Sequence, residues 1–182
     1  LYEWSIPTLG AVPWGITGSK DHADIWFTEE TAGKIGKFSP SPPGVFYEWT
    51  LPDPTARPRG IAMNITRLST GKTPANSVWF TEFAKNRVGY LYVNETNQGR
   101  FSFYSLPSYS GRDATPLSIA MSPIDYSIWF TEYGNGRIGS VKLLDDGSAL
   151  VKHYATSSLE SKPWGIAIDP NGFVWVTESA SN

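Results

Sequence analysis

Apolar residues in this chain fall in short runs, four to seven residues long, and each run is bounded by Gly, Pro, Asn, Asp or Ser. The runs are rich in Ile, Val, Trp, Phe, Tyr and Thr, which suit a pleated strand, and no window sustains a helical period. In Ile25-Trp26-Phe27-Thr28 large apolar side chains occupy successive positions, so both faces of the strand are apolar. Such a strand belongs in a sheet packed between two other sheets. Asp169-Pro170-Asn171-Gly172 has the residues of a tight turn between two runs. The pattern predicts an all-β chain of short, hairpin-connected strands.

The runs also repeat. Ile25-Trp26-Phe27-Thr28-Glu29 aligns with Val78-Trp79-Phe80-Thr81-Glu82, Ile128-Trp129-Phe130-Thr131-Glu132 and Val174-Trp175-Val176-Thr177-Glu178, with the Trp positions 53, 50 and 46 residues apart. Upstream of each lies a segment led by proline: Pro13-Trp14-Gly15-Ile16, Pro58-Arg59-Gly60-Ile61, Pro116-Leu117-Ser118-Ile119 and Pro163-Trp164-Gly165-Ile166. Downstream of the first three come Lys34-Ile35-Gly36, Arg87-Val88-Gly89 and Arg137-Ile138-Gly139. A fourth segment closes each unit: Tyr2-Glu3-Trp4, Phe46-Tyr47-Glu48-Trp49, Phe103-Tyr104 and the weaker His153-Tyr154. Four strands per unit of about 50 residues is the count for a four-stranded propeller blade. The expected organisation is one array over residues 1–182, in units of about 1–45, 46–100, 101–150 and a truncated 151–182. An insertion in the second unit, around Arg67 to Ala75, belongs on a surface loop.

The succession P-x-G-I, W-F-T-E, R-I-G and E-Y/W-x-L-P resembles the repeat of the streptogramin (virginiamycin B) lyase-like β-propellers, and is also similar to NHL-type propellers. The resemblance covers essentially the whole chain. It implies that P-x-G-I begins the innermost strand of each blade and that the E-Y/W segment is the outermost. On that layout the chain opens with an outermost strand, runs through three complete blades and stops part-way through another. Rings of this family have six or seven blades, so the expectation is three blades plus partial ones from a longer chain, because an unclosed propeller exposes apolar faces and strand edges.

Composition narrows the chemistry. The chain has 182 residues, 15 Lys+Arg against 17 Asp+Glu and a net charge of -2, which argues against nucleic acid or an anionic membrane as partner. No run approaches the ~18 apolar residues of a spanning helix, so no membrane insertion is expected. There is no Cys, and His22 and His153 are the only histidines, which leaves carboxylates, hydroxyls and rings as the main chemical resources. Phosphate-loop, serine-elbow, zinc-helix and EF-hand patterns are absent from the sequence.

Three sets of candidate residues follow. Trp14, Arg59, Leu117 and Trp164 hold the variable position of P-x-G-I, which the resemblance places at the mouth of the central channel; rings and an arginine there would suit an apolar or sugar-like ligand. Their structural alternative is packing between innermost strands. Glu29, Glu82, Glu132 and Glu178 recur at one position, with Lys34, Arg87 and Arg137 five residues after the first three. A repeated structural ion pair is the plainer reading of that spacing, and a cation site or a base at the mouth the functional one. Asn64 and Asn94 head N-x-T glycosylation patterns. Trp26, Trp79, Trp129 and Trp175 read as blade core.

The resemblance implies a lyase that opens a cyclic ester-containing depsipeptide with a His base and a divalent metal such as Mg. None of the four mouth positions is His, and His22 and His153 fall in a turn and an outermost strand, where solvated or edge positions are expected. The first expectation is therefore a non-catalytic, secreted or cell-surface propeller module, without a cofactor, that binds a protein, a glycan or a neighbouring copy. The alternatives are the metal-assisted lyase and a structural subunit of a surface layer or filament.

Overall fold

The computed structural model describes residues 2–19, 24–64, 77–144, 146 and 148–180. His22 and the insertion around Arg67 to Ala75 lie outside the described residues. The first blade comprises β1 (Pro13–Gly18), β2 (Ile25–Glu29), β3 (Lys34–Ser39) and β4 (Val45–Thr50). The second comprises β5 (Pro58–Asn64), β6 (Ser77–Glu82), β7 (Arg87–Val93) and β8 (Gly99–Ser105), with one turn of 3-10 helix, Phe83–Lys85, between β6 and β7. The third comprises β9 (Pro116–Met121), β10 (Ile128–Glu132), β11 (Arg137–Leu143) and β12 (Ala149–Ala155). β13 (Pro163–Ile168) and β14 (Val174–Glu178) form a two-stranded fourth sheet. Strands pair antiparallel in chain order within each blade. β1 lies beside β5, β5 beside β9 and β9 beside β13, so the first strand of each blade is the innermost.

The repeat motifs have distinct physical tasks. Trp79 and Phe80 are adjacent in β6, point to opposite faces and belong to two separate cores: Phe80 packs with Trp26, Ile35 and Ile61 between the first two blades, and Trp79 with Ile119, Ile128 and Phe130 between the second and third. That is the two-sided burial expected of W-F. The Trp of the second strand stacks on a ring of the outermost strand in each complete blade, as Trp26 on Trp49 at 5.4 Å, Trp79 on Tyr104 at 5.8 Å and Trp129 on Tyr154 at 5.2 Å. Here the E-Y/W motif finds its partner.

The Thr of W-F-T-E joins neighbouring blades. Thr28 Oγ1 accepts from the Gly15 N–H of its own blade at 2.9 Å and donates to the Arg59 carbonyl of the next at 2.7 Å. Thr81 does the same with Gly60 and Leu117, both at 2.9 Å, and Thr131 with Ser118 at 3.0 Å and Trp164 at 3.1 Å. Each innermost strand slips register at that point, between Pro13 and Ile16 in the first blade, which frees the N–H for the hydroxyl. A Cβ on Gly15 would lie 2.4 Å from the Arg59 carbonyl oxygen, so the innermost strands meet too closely there for any side chain.

Several expectations are corrected. Tyr2 to Pro7, expected as an outermost strand, form none, because no third strand of another blade is present among the described residues for them to pair with; instead Trp4 packs on Phe38 at 4.9 Å. The unit boundaries read from the sequence fall inside β4, β8 and β12, so the blades are offset from those units. Trp26 and Trp79 are buried and Trp129 half-buried, but Trp175 is 64% exposed, since no described strand packs over that face of β14. The Asp169 turn forms as read, with Gly172 N–H donating to the Asp169 carbonyl at 3.0 Å.

Candidate functional site

Pro13 pairs with Glu29, Pro58 with Glu82, Pro116 with Glu132 and Pro163 with Glu178, so the starts of the innermost strands and the ends of the second strands share one end of the array. At this end the Arg59 guanidinium lies between two rings, 4.7 Å from the centre of Trp14 and 3.6 Å from that of Phe83. Its Nε and Nη2 donate to Glu30 Oε1 at 3.0 and 2.9 Å, and Arg57 Nη2 approaches the same oxygen at 2.6 Å. Cation–π contact and a charge-assisted fork together hold the guanidinium in place. Further round, Trp164 meets Tyr133 edge-on at 5.7 Å.

Trp14 and Arg59 are thus brought together, whereas Trp164, exposed at the same end, stands on β13, two innermost strands further round from Arg59. Leu117 is not a lining residue: it is 1% exposed, turned into the packing between blades. Glu30, Phe83 and Tyr133 complete the surface and were not read from the sequence. Each directly follows the Glu of its repeat, so the signal was the residue after W-F-T-E, whose identity varies from blade to blade.

The repeated glutamates have separate fates. Glu29 is fully buried with neither carboxylate oxygen hydrogen-bonded, and Lys34 pairs instead with Glu48 at 2.8 Å. Burial and then the charge of Glu48, opposed by Lys34, push the Glu29 carboxyl up from 4.5 to about 7. Burial also acts to raise Glu48, but hydrogen bonds from Lys34 and Thr8 outweigh it and hold that carboxyl below its ordinary value. Glu82 pairs with Arg87 as the five-residue spacing predicts; burial raises its carboxyl despite the arginine. Glu132 takes a different partner, His153 Nδ1 at 2.5 Å, while its other oxygen accepts from Asn135 Nδ2 at 2.9 Å. His153 therefore lies in an outermost strand as read, but it is a paired, largely buried residue rather than a solvated one. Glu178 accepts from Ser157 Oγ at 2.6 Å.

No group of three or more His, Asp or Glu side chains converges among the described residues, and Glu30, beside Trp14 and Arg59, is taken by two arginines. These donors do not fit the divalent cation that the resemblance implies. Asn64 ends β5 only 5% exposed, so a glycan there would require the side chain to turn out of the blade. Asn94 sits in a turn, its Oδ1 accepting from Thr96 N, Thr96 Oγ1 and Gln98 N.

Fold and mouth together define an open array of lyase-type propeller blades with an aromatic, arginine-bearing end. Residues 1–123 and 76–182 match the Virginiamycin B lyase family, and the chain belongs to that family. A catalytically inactive histidine-to-alanine variant of virginiamycin B lyase from Staphylococcus aureus, solved with Quinupristin, is 30% identical with a TM-score of 0.79, covering 98% of this chain and 53% of that one. A streptogramin B lyase structure is 26% identical with a TM-score of 0.53, covering 98% of this chain and 66% of that one. A periplasmic gluconolactonase from Pseudomonas aeruginosa shares the fold alone, at 15% identity and a TM-score of 0.69 over 91% of this chain and 47% of its own. The chain spans about half the length of the S. aureus lyase it matches. No curated protein sequence matches it.

Proposed function

We propose that this chain is a ligand-binding propeller segment whose aromatic end receives a ring-bearing, ester-containing small molecule without supplying the base that would open it. The observation that carries the reading is the Trp14–Arg59–Phe83 sandwich fixed by Glu30. It offers flat apolar area and a pinned cation, and the carboxylate bound to it, Glu30, is already neutralised by Arg57 and Arg59. The solved S. aureus lyase with Quinupristin supports that ligand class.

Quinupristin titrated into the 182-residue chain, followed by tryptophan fluorescence and by mass spectrometry of the recovered ligand, tests it. Saturable quenching, weakened about tenfold or more by Trp14→Ala, with the ligand recovered intact, is the expected result. Absence of saturable quenching overturns the proposal. The second reading, supported by the family, is a lyase; recovery of ring-opened Quinupristin would replace the first reading with it. Placement outside the cell is part of the proposal, on the strength of a Ser/Thr- and Tyr/Trp-rich, lightly charged composition. Immunoblots of medium and surface fractions against lysate test that separately.

A further inference from the structure

At the same end of the array, but on the third blade, the loop after β8 together with Glu132, Asn135, Arg137 and His153 lines a pocket of about 90 Å³. We propose that this pocket is a binding site for a small hydroxy carboxylate, with Arg137 holding the carboxylate and His153 accepting from the hydroxyl.

The repeat itself isolates the feature. The residue opposite the glycine of R-I-G on the outermost strand is Glu48 in the first blade, Phe103 in the second and His153 in the third. In the first blade the cation, Lys34, is bound to Glu48; in the second, Arg87 is bound to Glu82. In the third, His153 and Asn135 occupy both oxygens of Glu132, and Arg137 is released from its carboxylate. Among the described residues the Arg137 side chain makes no hydrogen bond or ion pair; its guanidinium lies 4.3 Å from the centre of the Tyr109 ring. Stacking of that kind holds the guanidinium while its N–H edge stays available for a bidentate oxyanion.

His153 supplies the second contact. Glu132 accepts from His153 Nδ1–H, and in the tautomer that carries its proton there Nε2 is an acceptor, with no side-chain partner among the described residues. A bare carboxylate would set lone pairs against that nitrogen, whereas a hydroxyl next to the carboxylate donates to it. The pocket volume admits a molecule of a few heavy atoms. Ser108 Oγ donates to Asp113 Oδ1 at 2.5 Å and keeps only acceptor capacity toward the pocket, which also favours a ligand carrying a donor.

Glycolate, acetate and inorganic phosphate, each titrated into the 182-residue chain, provide the test, read by the imidazole Cε1–H resonances. The chain has 2 histidines, and the resonance lost in His153→Gln identifies the reporter. Expected is a saturable displacement of the His153 signal by glycolate, about fivefold or more weaker with acetate, abolished in Arg137→Gln and retained in Arg112→Gln. Arg137→Lys keeps the charge without the fork and should weaken glycolate about tenfold, which guards against a folding defect in the glutamine variant. The proposal is overturned if glycolate gives no saturable displacement below about 50 mM, if acetate binds equally, if Arg137→Gln binds like the parent, or if phosphate binds more tightly than glycolate.

Discussion

Glu29 shows how one position in a repeat can hold different chemistry in each copy. Its folded-state value of about 7 lies above the ordinary 4.5, so the native chain binds that proton more tightly than the unfolded one. The associated stability is fully present below pH 4.5 and is lost as pH rises through about 7. Glu29→Gln should therefore match the parent near pH 4.5 and exceed it at pH 8 by up to roughly 3 kcal/mol in urea unfolding. A parent whose stability does not fall over that window relative to the variant would show that Glu29 titrates normally. Gly139 offers a steric counterpart: an added Cβ would lie 2.1 Å from the Phe130 ring and 2.7 Å from Glu132 Oε1. Gly139→Ala should cost about 1–3 kcal/mol and disturb the His153 resonance, while Gly18→Ala, with nothing nearer than 4.0 Å, should be close to neutral in the same assay. The recurrence of Glu and of R-I-G was legible in the sequence because both are spaced regularly. Which partner each Glu takes was not, since Glu48, Phe103 and His153 lie beyond hairpins of unequal length and come opposite their glycines only when the third and fourth strands pair.

Among elements, the innermost strands are fastened to the next blade chiefly through threonine. Thr81 is fully buried between the Gly60 N–H and the Leu117 carbonyl, and valine would leave both groups without their partner. Thr81→Val should destabilise the chain by about 2–4 kcal/mol. Thr177 is exposed and makes only the bond from Gly165 among the described residues, so Thr177→Val in the same chain should cost under about 1 kcal/mol. Equal costs would mean that the hydroxyl-to-carbonyl bond between blades contributes nothing. Strand order was readable because each strand has its own motif, and the prolines, glycines and turn residues mark the ends. The linking role of Thr was hidden, because a β-branched residue in a strand satisfies strand propensity whether or not its hydroxyl is used. Leu117 was misplaced for a related reason: its repeat position matches Trp14 and Trp164, but side-chain direction at the register slip depends on the neighbouring blade.

At the scale of the molecule, each complete blade is apolar on both faces, yet the array has two faces that no described blade covers. On the first blade Ile16 is 73% exposed, with Val12 and Trp14 beside it in sequence, and on the last sheet Phe173 and Trp175 stand open. Exposed apolar patches of this kind drive association, and a net charge of only -2 opposes it weakly. The face of β14 also carries the free side of Thr177, and the face of β1 the Trp14 carbonyl that corresponds to its acceptor in the other blades. Face-to-face contact between copies would thus reproduce a blade junction in both its apolar and its hydrogen-bonded parts. The isolated 182-residue chain should accordingly sediment above its 20.1 kDa at tens of micromolar, and the double variant Ile16→Lys with Trp175→Lys should return it to the monomer without loss of the β-sheet circular dichroism signal. A parent chain that stays monomeric throughout that concentration range would mean that the two faces are too small or too curved to meet, and that the blade junction works only between blades joined in one chain.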